Sequence, residues 1–276
     1  MACSLTLLSW NMNQRLDVWE NVLASGADVA LLQEAKPPPP HIKSKLIGDF
    51  ENIWEITGRP WCSTVVGLSK QVQLMPITTQ SVGSCDPHAL MASRLGTIGA
   101  AIVYLEETEE EITIVSLYAT WETPIKRTGS SWIYADASVH RLISDLSGLI
   151  GNQRKHKIIA AGDLNILYGY GEGGSEYWRK RYDTVFDRFS ALGLKFIGPQ
   201  APTGGQKADP WPPELPEESC NVPTFRTRKS KPETGARQLD FVFASESIAD
   251  RLSARAANSI EEWGPSDHCR IYIEFK

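Results

Sequence analysis

Apolar residues gather along this chain in short runs of strand length, separated by segments of helical period. Residues 4–10 form an apolar run of strand composition, and Leu16, Trp19, Val22 and Leu23 then recur at helical spacing up to a stop near Gly26. Residues 28–33, DVALLQ, read as a continuous apolar strand that closes on Glu34 before prolines 37–40. A strand apolar on both faces is covered on both sides. The same look recurs at 98–105 and 112–117, joined by an acidic stretch, 106–111, that reads as a solvated hairpin turn. Val139, Leu142, Ile143, Leu146, Leu149 and Ile150 share one face of a predicted amphipathic helix, 139–150. Residues 158–162 predict another buried strand, 182–192 a second helix stopped at Gly193, and 239–244 and 270–275 the last strands. Residues 199–236 hold eight of the 17 prolines and little periodicity, which predicts an unpacked loop excursion within a single domain spanning 1–276.

Helices and strands alternate, yet the 98–117 segment reads as a hairpin, so the expected class is α/β with mixed rather than purely parallel sheets. Two mixed β-sheets packed face to face with helices outside, a four-layered α/β sandwich, would cover the doubly apolar strands. The 276 residues suffice for such a core, and 42% hydrophobic with 22% charged residues excludes collagen, coiled coil and disorder. A formal charge of −5 excludes a bulk polycation, so any phosphate recognition is local. The five cysteines, Cys3, Cys62, Cys85, Cys220 and Cys269, show no C-x-x-C spacing. They support neither a disulfide framework nor a zinc knuckle and point to a reducing cytoplasm. The first residues lack a basic segment, and no run approaches the length of a membrane span, so a soluble protein is expected.

Nearly every buried-looking strand ends in a polar group: Trp10 runs into Asn11 and Asn13, Gln33 into Glu34, Leu117 into Tyr118, Gly162 into Asp163 and Asn165. Asp240 stands at a strand start and Ser266-Asp267-His268 just before the last strand. Each alone has a plain structural explanation: a turn, a loop start, a helix cap or an amphipathic core tyrosine. Gathered on one rim they would be costly unless metal and hydrogen bonds satisfied them. The ordered set W-N-x-N, L-Q-E, S-L-Y, G-D-L-N, L-D-F-V and S-D-H resembles the endonuclease/exonuclease/phosphatase superfamily, the DNase I-like fold, from Ser9 to Phe275.

That resemblance implies a divalent-metal-dependent phosphodiester hydrolase. It casts Glu34 as the main metal carboxylate with Asn11 beside it, Asp267 on the metal side, Asp163 as the group that orients or deprotonates the attacking water, and Asn165 as an amide donor to the phosphate. It further casts His268 as a phosphate-facing imidazole with Asp240 behind it, and Tyr118 as a phenol on the phosphate or leaving group. Members similar to abasic-site endonucleases carry an aspartate where Asn13 stands, so the neutral amide weakens a second metal contact. Hard oxygen donors without a cysteine cluster favour Mg²⁺ or Mn²⁺ over zinc. The i, i+2 spacing of Asp163 and Asn165 suits an extended turn. Basic clusters at Lys126-Arg127, Arg179-Lys180-Arg181 and Arg226, Arg228, Lys229, Lys231 and Arg237 interleave with Trp121, Trp132, Tyr134, Tyr177, Trp178 and Phe225. This is the composition of a nucleic-acid groove, with Arg226, Arg228, Lys229 and Arg237 nearest the expected site, and nucleic acid is the expected substrate. The alternatives are a phosphatase or phosphodiesterase on a small phosphorylated molecule or lipid headgroup, and a binding protein that lost catalysis.

Overall fold

The computed structural model describes residues 5–48, 54–55, 58–84, 86–124, 134–151, 155–227 and 229–276. Strands β1 (Leu5–Asn11), β2 (Val29–Ala35) and β3 (Cys62–Gly67) combine with β12 (Leu252–Ala257) and β13 (Arg270–Phe275) in a five-stranded sheet of order β12-β13-β1-β2-β3. Strands β4 (Gln73–Ile77), β7 (Ile98–Leu105), β8 (Glu110–Tyr118), β9 (Ile158–Asp163), β10 (Leu194–Gly198) and β11 (Asp240–Ser245) form a six-stranded sheet of order β10-β11-β9-β8-β7-β4. A small parallel pair, β5 (Thr79–Ser81) and β6 (Leu90–Ala92), stands apart.

The doubly apolar runs behave as expected, because each strand has two covered faces. Leu5, Leu7, Val29 and Leu31 of the first sheet meet Val103, Ile112, Ile114, Ile159 and Val242 of the second in the central core. The outer face of the first sheet packs on α1 (Val18–Leu23) and α2 (Pro40–Lys43) through Trp10, Trp19, Val22 and Ile42. The outer face of the second packs on α3 (Ala135–Leu146) and α4 (Glu176–Ala191) through Val139, Leu142, Val185 and Phe189. The result is the four-layered α/β sandwich, with both sheets mixed.

The topology decides where polar strand ends go. β1 pairs parallel with β2, and β8 parallel with β9, so these four strands end on one rim. β13 runs antiparallel to β1, and β11 antiparallel to β9, so their first residues arrive at that same rim. Register places Tyr118 opposite Asp163 and Asp163 opposite Asp240, three functional groups side by side across three strands.

Several boundaries differ from the periodicity, each for a physical reason. The acidic stretch is not wholly a solvated turn. Glu110 and Glu111 belong to β8, and Glu110 receives Lys157 Nζ at 2.6 Å and Arg251 Nη2 at 2.9 Å. Helix α4 starts at Glu176, ahead of its apolar stripe, with Glu176 paired to Arg179 and Lys180 one turn on. The 199–236 excursion contains no strand or α-helix among its described residues, yet it is packed: Val222 and Thr224 are fully buried, and Leu215 nearly so. β3, β4, β10 and β12, absent from the apolar-run pattern, are the four edges of the two large sheets. An edge strand has a polar margin and tolerates Pro76 in β4 and Arg255 in β12, so it carries no continuous apolar run. Among the described residues, Cys62, Cys220 and Cys269 are free thiols, and no helix is long and apolar enough to cross a membrane.

The Arg251 and Lys157 contacts, outweighing partial burial, hold the Glu110 carboxyl at about 2, below its ordinary 4.5. A depressed folded-state value means stability that is intact above pH 4.5 and is lost as pH falls through about 2. Glu110→Gln should therefore lower unfolding stability by about 1 kcal/mol at neutral pH, allowing for the solvent around both cations. Urea titrations of both proteins should draw together below pH 4.5 and converge as pH falls through about 2, and a gap independent of pH would contradict this assignment.

Candidate active site

The rim is built around Asp163, a carboxylate only 1% exposed at the end of β9. Its Oδ2 accepts Asn11 Nδ2 at 2.9 Å and Asn165 Nδ2 at 3.0 Å, while its Oδ1 accepts the Asn165 backbone N–H at 2.9 Å. That last bond closes a tight turn with Asn165 at φ +52°, so the i, i+2 pairing arises from a left-handed turn and not from the extended chain predicted from spacing. The preceding Gly162 is required by close approach: a Cβ there would lie 1.9 Å from the Leu117 carbonyl oxygen of β8.

His268, 4% exposed, stands on the other side of Asp163. Its Nδ1 lies 2.8 Å from Asp240 Oδ2, and its Nε2 lies 3.7 Å from Asp163 Oδ2, too long for a hydrogen bond but close for charge attraction. Burial alone would push the imidazole down, but Asp240 and then Asp163 reverse this and hold it up at about 10. Burial pushes the Asp163 carboxyl up to about 7, against the pull of His268 and with the push of Asp240. His268 is therefore an imidazolium at neutral pH, beside a carboxyl poised near neutrality.

Glu34 is half-buried at the end of β2. Its Oε2 accepts Gln14 Nε2 at 2.9 Å, and Asn11 Nδ2 lies 3.4 Å from its Oε1, so Asn11 links the two carboxylates. Tyr118 is adjacent to both acids. Burial first, then Glu34 and Asp163, raise its phenol, which stays protonated and is a hydrogen donor at neutral pH. Trp61 meets the Tyr118 ring edge-on, with centroids 5.3 Å apart. Asp267 is half-buried beside the Ser266 hydroxyl, 3.3 Å away, and Asn13 turns back so that its backbone N–H donates to Asn11 Oδ1 at 2.9 Å.

Five non-glycine residues among those described have a left-handed backbone, and Asn13, Gln14, Glu34 and Asn165 are four of them. Each costs roughly 1–3 kcal/mol. Such strain collected on one rim is the mark of a geometry held for chemistry, and the Glu34 kink coincides with the register shift between Leu32 and Ala35 that aims its carboxylate off the sheet.

Support comes from residues that the motifs only partly signal. Gln33 and Ser116 bridge the two sheets beneath the rim, Gln33 Nε2 donating to Ser116 Oγ at 2.9 Å. The Ser266 hydroxyl donates to the Asn11 carbonyl at 2.7 Å, and the Trp10 indole to the His268 carbonyl at 2.9 Å, tying the ends of β1 and β13 together. Thr224 accepts the backbone N–H groups of Leu239 and Asp240 at 2.9 and 3.1 Å, setting the start of β11. Nothing in the pattern announces Thr224, because its hydroxyl works on backbone fifteen and sixteen residues away.

The basic residues are placed differently from the acids. Arg237 is turned onto Glu172, with N···O distances of 3.2 and 2.9 Å. Arg226 braces the loop through Ser230 O and, at 3.3 Å, Ser266 O, and Lys229 is exposed. Arg179, Lys180 and Arg181 pair with Glu176, Asp183 and Asp136. Arg228, Lys126, Arg127 and Trp132 lie outside the described residues.

A model of the endonuclease/exonuclease/phosphatase family matches residues 8–268. The chain belongs to that family. Its fold is shared with solved structures at low identity. The AP endonuclease LMAP from Leishmania major is 15% identical, with a TM-score of 0.57 over 99% of this chain and 88% of that one. A Neisseria 3′ phosphatase bound to a product DNA hairpin is 16% identical, with a TM-score of 0.51 over 99% of both chains. The mannosyl-6-phosphatase of Bacteroides thetaiotaomicron is 13% identical, with a TM-score of 0.52 over 98% of both. Comparison with curated proteins gives no match. This family member thus shares its architecture with nuclease and phosphatase structures alike.

Because Asp240 is the chief favourable partner of His268, Asp240→Asn should lower the imidazole well below about 10, with Asp163 and Asp267 still opposing the effect of burial. An elevated folded-state value stabilises the fold fully below pH 6.5 and loses that contribution as pH rises through about 10. The variant should therefore show this slope weakened and moved to lower pH. Imidazole titration by NMR checks the shift directly, and an unchanged His268 would contradict the pairing.

Proposed function

We propose that this protein is a divalent-metal-dependent phosphoester hydrolase, and specifically a nuclease that cleaves phosphodiester bonds by attack of an activated water. The observation that carries the reading is a buried Asp163 poised near neutrality between an imidazolium and the Glu34–Asn11 pair. A general base works best when its titration lies near the working pH. Asp163 takes a proton from water as the oxygen bonds to phosphorus and the P–O ester bond breaks. His268, charged and fixed by Asp240, faces the phosphoryl oxygens and stabilises the growing negative charge. Tyr118 donates its phenolic hydrogen to the phosphate or leaving oxygen. Asn165 fixes the Asp163 carboxylate and can donate to a phosphate oxygen only by giving up a protein acceptor, since both its amide hydrogens are engaged.

Two places could hold the cation. One oxygen or nitrogen from each of Asp163, Asp240 and His268 lies within 4.8 Å of the others. Those atoms are buried and already engaged, His268 with Asp240 and Asp163 with the Asn11 and Asn165 amides, so a metal there would have to displace those bonds and the imidazole proton. Glu34 fits better, being a half-buried carboxylate held by the Asn11 and Gln14 amide N–H groups, which a cation would displace, and with Asp267 it would offer oxygen donors suited to Mg²⁺ or Mn²⁺. A cation there supplies Lewis-acid polarisation of the phosphoryl group. The neutral Asn13 leaves that set with fewer charges, favouring a single ion.

A second reading, hydrolysis of a small phosphorylated molecule, is favoured by one observation: Arg237 and the 179–181 cluster are spent on internal ion pairs and are not free to track a polynucleotide backbone. A panel of single- and double-stranded DNA, RNA and sugar and inositol phosphates, assayed with Mg²⁺ or Mn²⁺, separates the two. Glu34→Gln should abolish activity while the circular dichroism spectrum is retained, and Asp163→Asn and His268→Ala should each slow turnover by roughly 10²- to 10⁴-fold. Full activity in EDTA would overturn the metal requirement, and cleavage of sugar phosphates without polynucleotide cleavage would overturn the nuclease.

A further inference from the structure

Trp121 is 61% exposed, one of the most exposed large apolar side chains among the described residues, yet it is held firmly. On its N-terminal side the Thr120 backbone N–H donates to Ser138 Oγ at 3.0 Å, and Thr120 Oγ1 receives Arg94 Nη1 at 2.6 Å. On its C-terminal side Glu122 accepts Arg94 at 3.2 Å and also Arg141, while its carbonyl accepts the Tyr134 N–H at 2.8 Å. The indole itself is fixed by its N–H, which donates to Asn165 Oδ1 at 2.9 Å. Asn165 in turn bonds Asp163 Oδ2. An apolar ring exposed to water gains nothing for the fold by being immobilised, whereas a ring held in place before a ligand arrives lowers the ordering cost of binding.

The position and chemistry of the ring suggest its occupant. It stands one residue, Asn165, away from Asp163, so it adjoins whatever group is attached to a phosphate bound there. Its sole polar atom is consumed by Asn165, so what it presents is a π face. A π face with no donor left favours a flat ring stacked on it over a partner held by hydrogen bonds to its hydroxyl groups. We propose that Trp121 is the stacking platform for the nucleobase next to the scissile phosphate, and that its N–H bond to Asn165 couples base seating to the orientation of the Asp163 turn. This rests on the hydrolase reading above and gives the nuclease assignment a contact that the internally paired arginines do not supply.

The test compares wild type, Trp121→Ala and Trp121→Phe on a labelled single-stranded oligonucleotide, on a base-free sugar-phosphate strand of equal length and on mannose 6-phosphate. Binding is followed by fluorescence anisotropy and cleavage by kcat and KM with Mg²⁺. Trp121→Ala should weaken oligonucleotide binding and raise its KM by roughly 5- to 150-fold, the range for one lost base–aromatic stack, and leave the base-free strand within about threefold. Trp121→Phe, which keeps a ring but loses the N–H, should recover most of the binding and leave kcat reduced. Equal losses on both strands would overturn the platform and leave Trp121 acting through Asn165 alone. A larger loss on mannose 6-phosphate than on the oligonucleotide would overturn the nucleobase in favour of a sugar ring. A wild type that cleaves no phosphoester but shows the predicted binding difference would overturn the hydrolase reading and keep the platform; absence of any binding difference would overturn the platform whatever the activity.

Discussion

Three ionisable side chains, Asp163, Asp240 and His268, are buried against one another at the edge of an apolar sandwich, and the rest of the rim exists to make that tolerable. An isolated buried charge costs several kcal/mol even after relaxation. Here two carboxylates share one imidazolium, one of them bonded to it at 2.8 Å, and Asp163 takes three further hydrogen bonds from Asn11 and Asn165. The arrangement still leaves Asp163 with a raised affinity for its proton, because burial and Asp240 together outweigh the pull of His268. A fold selected for stability alone would neutralise such a group. One that keeps it near neutrality retains a base that can gain and lose a proton at working pH.

Strand direction makes this burial possible. Parallel pairing within each half of the sandwich sends the ends of β1, β2, β8 and β9 to the same rim, and antiparallel β11 and β13 return their first residues there. Four strained non-glycine residues then turn the chain off the sheets, so that Glu34 and the Asn11 and Asn165 amides reach beyond the backbone ladder. The Gln33–Ser116 bridge between sheets fixes how far apart the Glu34 and Tyr118 strands stand. Rim chemistry and core packing are thus set by the same backbone.

Much of this was legible before the fold. Apolar runs covered on both faces located β1, β2, β7, β8, β9, β11 and β13, and the polar residues that end or precede them are the ones brought together. The edge strands were not legible, since β4 and β12 face solvent along much of their length, β4 even carries a proline, and the buried β3 carries Ser63 and Thr64 among its apolar residues. Glu110 and the 199–236 excursion were misread for a related reason: a charged or proline-rich segment is packed by partners far along the chain, Arg251 for Glu110 and Gln238, which donates to Pro199 O and accepts from Val222 N–H, for the excursion. Composition likewise could not tell a cation aimed at a ligand from one such as Arg237, already paired with Glu172.

The proposed function divides labour on the rim: Glu34 would hold the cation, while His268 stays hydrogen-bonded to Asp240 and in charge contact with Asp163. A crystal structure grown with Mn²⁺ and inorganic phosphate, with the ion located by its anomalous scattering, tests it directly. The account predicts the anomalous peak on the Glu34 carboxylate, with His268 Nδ1 still near 2.8 Å from Asp240 Oδ2. A peak seated among Asp163, Asp240 and His268, with the imidazole turned away from Asp240 to ligate it, would contradict the account.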